Sequence, residues 1–121
     1  MIKIAFATDD LMHISAHLGR AQKYLVYTIE KGHVTTQEER SKPFHDQGHE
    51  DHSHHEIHFH DDMVNVIADC QVVIARGMGS PAFERVVSAR IQPILTELST
   101  IQEALQAYIE GHLEHRPNRI H

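Results

Sequence analysis

The apolar positions of this chain change period partway along its length. Ile2, Ile4 and Phe6 alternate with Lys3, Ala5 and Ala7, the period-two pattern of a strand, and Thr8-Asp9-Asp10 ends it. A polar loop over 11–19 follows, carrying His13 and His17. Residues 24–29, Tyr-Leu-Val-Tyr-Thr-Ile, are rich in aromatic and β-branched side chains and predict a second strand. Lys31-Gly32 predicts a tight turn, returning the chain as an antiparallel third strand from His33 to about Glu38. Ser41-Lys42-Pro43 breaks this meander.

Beyond the break the period becomes helical. Ser53-His54-His55-Glu56 fits a capping box, and His60, Met63, Val64 and Ile67 recur on one helical face. This predicts a helix from about His54 or His58 to Ala68. Residues 71–75, Gln-Val-Val-Ile-Ala, read as a strand buried on both faces. Ser80 suits an N-cap and Pro81 a first helical position, so a helix is expected to about Ala89. Ile91 to Leu95 predicts a strand that Pro93 places at a sheet edge. Thr100-Ile-Gln-Glu103 is a second capping box, opening a helix with an Ile101, Ala104, Leu105, Tyr108, Ile109 stripe that Gly111 is placed to stop. Residues 112–121 have little to bury and are expected to fray.

The order βββαβαβα predicts an α/β fold, a five-stranded mixed sheet with flanking helices in a single domain over 1–111. The chain's 121 residues fit one domain. The net charge of −6 argues against a nucleic-acid partner. No apolar run approaches the ~20 residues needed to span a bilayer, and the N-terminus lacks a signal-peptide pattern. Together with a single cysteine, Cys70, this predicts a cytoplasmic protein without membrane contact. Cys70 reads as a small buried side chain, and no cysteine-pair spacing exists for an all-cysteine cluster site.

Residues 44–60, Phe-His-Asp-Gln-Gly-His-Glu-Asp-His-Ser-His-His-Glu-Ile-His-Phe-His, concentrate imidazole among carboxylates. Neutral imidazole suits zinc, nickel, copper and iron. On a helix that starts at the capping box, His54 and His58 share a face, with Asp61 or Asp62 a turn beyond and His45, His49, His52 and His55 nearby. Two readings stand: a divalent-metal buffer or sensor, with Zn or Ni as the expected ions, or a solvated segment. His17 and Arg20 follow the first strand. Gly77, Met78, Gly79 and Ser80 follow a strand and open a helix, where backbone N–H groups can face an anion. There is no Walker A ending and no dinucleotide fingerprint. A two-metal hydrolase needs carboxylates converging from strands; Asp9 ends the first strand, but residues 71–75 offer none.

Several stretches taken together carry a family resemblance. They are residues 4–10 (Ile-Ala-Phe-Ala-Thr-Asp-Asp), 14–24 (Ile-Ser-Ala-His-Leu-Gly-Arg-Ala-Gln-Lys-Tyr), 68–79 (Ala-Asp-Cys-Gln-Val-Val-Ile-Ala-Arg-Gly-Met-Gly) and 104–111 (Ala-Leu-Gln-Ala-Tyr-Ile-Glu-Gly). The chain resembles the dinitrogenase iron–molybdenum cofactor biosynthesis family, which includes NifX- and NafY-like proteins and NifB C-terminal domains. The resemblance implies a ribonuclease-H-like fold and a carrier of an iron–sulfur-based cluster or precursor, without catalysis of its own. It implies exchange with a cluster-donating or cluster-accepting protein. It places the loop histidine at His17 and the glycine loop at Gly77-Met78-Gly79. The histidine run at 44–60 departs from the family pattern as an insertion.

Overall fold

In the computed structural model the described residues are 1–41 and 63–120. Five strands form one mixed sheet: β1 (Ile2–Thr8), β2 (Lys23–Glu30), β3 (His33–Ser41), β4 (Val72–Ala75) and β5 (Gln92–Leu95). Their spatial order is β3-β2-β1-β4-β5. β1 is antiparallel to β2 and parallel to β4, β2 is antiparallel to β3, and β4 is parallel to β5. Two helices follow in the second half, α1 (Ser80–Ser88) and α2 (Ile101–Ile109), and residues 63–65 are helical ahead of β4. No helix among the described residues is long and apolar enough to cross a membrane.

Each face of the sheet has its own core. Ala5, Ala7, Tyr24, Val26, Val73 and Ala75 pack on one face against Met63, Val64 and Ile67 and against Ala82 and Val86 of α1. On the other, Ile4, Phe6, Leu25, Tyr27, Val72 and Ile74 pack against Ile101, Ala104 and Leu105 of α2. Central β1 is therefore buried on both faces from Ile4 to Thr8. Its alternation separates large from small side chains rather than apolar from polar ones.

Local chemistry set several boundaries as expected. Lys31 (φ 54°) and Gly32 (φ 80°) both take positive φ, as a two-residue hairpin turn requires. The Thr100–Glu103 capping box is complete. Gly111 (φ 84°) stops α2, with the His112 N–H donating to the Ala107 carbonyl at 3.0 Å. Pro93 sits in the edge strand.

Other expectations are corrected. α-Helical geometry ends at residue 65, where the chain tightens into i→i+3 bonds (Ile67 N–H to Val64 O, 3.0 Å; Ala68 N–H to Asn65 O, 3.2 Å). The N-cap of α1 is Gly79, not Ser80, because Phe83 N–H donates to Gly79 O at 2.9 Å. The tail makes contacts over its described residues: Pro117–Arg119 forms a 3₁₀ turn, and Ile120 bridges Met78. The capping box at Ser53–Glu56 and the run from Phe44 to His60, with His45, His49, His52, His54, His55 and His58, lie outside the described residues.

Candidate functional site

β1 and β4 are adjacent and parallel, but the chain leaves them in opposite directions. The loop after β1 returns toward β2, whereas the loop after β4 enters α1 and continues to β5. Such a divergence opens a crevice at the carboxyl ends of the strands, a habitual ligand position in α/β sheets.

Backbone hydrogen bonds stitch the two loops together there. The Leu18 N–H donates to Gly77 O at 2.8 Å, and the Arg76 N–H donates to Ser15 O at 3.0 Å. Ser15 N–H in turn donates to Ala7 O at 2.7 Å, tying the loop back to β1. Leu18, fully buried, anchors the loop in the first core. The Ser15 hydroxyl accepts from His17 N–H (3.2 Å) and donates to His17 O (3.0 Å), fixing the backbone of the histidine.

His17 is half-buried and caps the 3₁₀ turn Leu18–Arg20, its Nδ1 accepting the Gly19 N–H at 3.2 Å. A neutral ring in this geometry carries its proton on Nε2. Ligating a metal through Nδ1 uses the lone pair that now receives Gly19, and ligating through Nε2 moves the proton to Nδ1. Either route releases the Gly19 N–H. Arg20, at the end of the turn, is exposed.

The glycine loop is partly structural. Gly77 is buried, Gly79 half-buried and Ser80 exposed. The Met78 side chain is 0% exposed within the first core, so its thioether is a packing group and not a ligand in this arrangement. Gly79 has φ −76°, which any residue adopts, and among the described residues a Cβ there would meet only Pro81 Cδ at 3.7 Å. Backbone conformation does not demand a glycine at 79. Arg76 is half-buried, and its Nε has no hydrogen-bond partner among the described residues.

Nearby polar groups are engaged in structure. Asp9 Oδ1 accepts the Gln22 N–H at 2.8 Å, which accounts for the carboxylate that suggested hydrolysis. Asp10 accepts the backbone N–H groups of His13 (2.7 Å) and Met12 (2.9 Å) and pairs with the His13 ring, and these bonds hold its carboxyl well below the usual range. Among the described residues no three His, Cys, Asp or Glu side chains gather into a metal site. Cys70 is buried, and desolvation, then the Asp69 charge, push its thiol up to about 11. It is a packing group, as expected.

Sequence reading missed Ser15 and the tail residues that reach this crevice. Ile120, an isolated apolar residue among Arg116, Asn118 and Arg119, was the available signal for the latter.

Residues 1–111 match the profile of a family described as dinitrogenase iron-molybdenum cofactor. The protein NifX of Sinorhizobium fredii is 33% identical over 108 residues, which cover 86% of this chain and 66% of that protein, just under two thirds of its length. The apo form of the orange protein from Desulfovibrio gigas has the same fold, with a TM-score of 0.71 at 19% identity, covering 96% of this chain and 93% of that one. PH0822 is similar again, with a TM-score of 0.74 at 24% identity, over 95% of this chain and 96% of that one.

Proposed function

The chain belongs to the dinitrogenase iron-molybdenum cofactor family, and on that premise we propose that it is a carrier or accessory protein for an iron–sulfur-based metallocluster or its precursor, bound in the crevice between β1 and β4. The observation that carries this reading is the pair of loop-to-loop bonds, Leu18 N–H to Gly77 O and Arg76 N–H to Ser15 O, which hold His17 beside the glycine loop.

The cargo is a cluster whose sulfides bring negative charge. His17 supplies one nitrogen ligand to iron, and the Gly19 N–H released by that step becomes a donor beside it. The side-chain-free backbone at Gly79 lets the cluster approach closely, and the N-terminal end of α1, with exposed Ser80, favours its charge. Arg20 adds a cation on the opposite loop. Met78 supports the loop from beneath. With His17 as the protein's one ligand, the cluster is held by few bonds, as suits a carrier that receives cargo from one protein and passes it to another. The zinc or nickel reading of residues 44–60 gains no support from the described residues.

Anaerobic reconstitution with iron and sulfide tests this. The wild type develops cluster absorption, and His17→Ala loses it while folding with at most about 1–2 kcal/mol less stability, the worth of an N-cap. Equal absorption in the variant removes His17 from the site.

A further inference from the structure

The tail beyond residue 111, past the family match, reaches the glycine loop from the β5 side. It has two parts. The proximal part is anchored at the edge strand: Arg116 N–H donates to Leu95 O at 2.8 Å, and Leu95 N–H donates to His115 Nδ1 at 3.1 Å. The His115 ring also stacks on Phe83 of α1, with centroids 6.4 Å apart and planes 18° from parallel. The distal part begins at Pro117 and ends on the glycine loop. There the Met78 N–H donates to Arg119 O at 3.2 Å, and Arg119 Nη1 donates to Arg76 O at 3.2 Å. Ile120 forms a parallel bridge with Met78 and packs at the margin of the first core.

The loop is thereby held from both sides. The His17 loop takes Arg76 N–H and Gly77 O, and the tail takes Arg76 O and Met78 N–H. An anion that docks on the glycine loop needs N–H donors, and the tail occupies the one at Met78. Two long hydrogen bonds and one half-buried isoleucine hold the distal part, whereas a shorter bond, an imidazole acceptor and a ring stack hold the proximal part. Local opening therefore starts at the distal end.

We infer that residues 117–120 are a displaceable strap, which leaves the glycine loop when a metal-sulfide anion docks there while His115 and Arg116 stay in place. The inference rests on the cluster site proposed above. The strap competes with cargo for the Met78 N–H, so apparent affinity is lowered by the fraction of molecules in which it is seated.

The test uses the full chain, incubated anaerobically with iron(II) and sulfide and followed by hydrogen exchange with mass-spectrometric readout. On loading, a peptide covering 117–121 exchanges roughly tenfold faster, while a peptide spanning His17 is slowed. A strap peptide that stays protected while the His17 peptide responds overturns the strap and leaves the site standing. No response at His17 overturns the cluster site itself. Independently, Ile120→Ala, which loosens the distal part, lowers the iron and sulfide concentration needed for half-loading by roughly tenfold. Unchanged or weaker loading in that variant overturns the strap.

Discussion

Two regions hold distant parts of this chain together, and they do it with different groups. Around Asp69 the bonds run mainly between side chains. Arg40 of β3 donates to Asp69 at 2.7 Å and to the Val66 carbonyl at 2.8 Å, and Lys3 of β1 reaches Asp69 at 3.0 Å. At the β1–β4 crevice the bonds run mainly between backbones, through Ser15–Arg76, Leu18–Gly77 and Arg119–Met78. The first arrangement commits its charges to the fold. The second keeps the His17 and Arg20 side chains outside the backbone bonds that join the loops. A binding region built from backbone bonds can change its side chains without losing its shape.

Met78 is the sharpest place to break this contrast, because it belongs to the crevice by sequence and to the core by packing. Met78→Ala should cost roughly 2–5 kcal/mol in denaturant unfolding, as truncation of a fully buried side chain does. Met78→Leu, which nearly conserves volume, should cost less than about 1.5 kcal/mol and load cluster like the wild type. Normal loading by the leucine variant separates packing from ligation; a loss of loading with stability intact would return the sulfur to the site.

The Asp69 region predicts a smaller effect with a pH signature. Hydrogen bonds from Arg40, and then from Lys3, hold the Asp69 carboxyl well below its ordinary value of 3.8. The folded value is thus the lower one, so this stabilisation is complete above about pH 4 and is lost as pH falls further. Arg40→Ala should cost about 1–2 kcal/mol at neutral pH, since the pair is partly exposed and the Val66 carbonyl also loses a donor. The stability of the variant should then change less steeply below pH 4 than that of the wild type. Parallel acid limbs would mean that other carboxylates govern acid unfolding.

What sequence made legible follows the same division. The Lys31-Gly32 turn, the Thr100–Glu103 box and the Gly111 stop depend on neighbouring residues, and each was readable because its cause is local. The meeting of the His17 loop with Gly77 arises one level up, from the adjacency of the strands that precede them. The strap was not legible. Its partners, Met78 and Arg76, lie some forty residues away in sequence, and no periodicity in 112–121 announces them. The depth at which Met78 is buried was not legible for a related reason. Its burial depends on the first core below the loop and on Ile120 beside it, neither of which a turn motif reveals.

The smallest predicted change in stability falls at Gly79, where it says most about the crevice. At φ −76° alanine is unstrained, and among the described residues the nearest atom to a new methyl is Pro81 Cδ at an ordinary 3.7 Å. Alanine is a poorer N-cap than glycine, but it also reduces the freedom of the unfolded chain, and the two effects oppose each other. Gly79→Ala should therefore change unfolding free energy by no more than about 0.5 kcal/mol. The methyl projects into space that the cluster needs if it approaches the loop backbone, so iron–sulfide loading should fall roughly tenfold with the fold intact. Such a result would assign the glycine to the cargo, since the backbone has no use for it. Full loading by Gly79→Ala would instead move the cluster away from the loop, toward His17 and Arg20 alone.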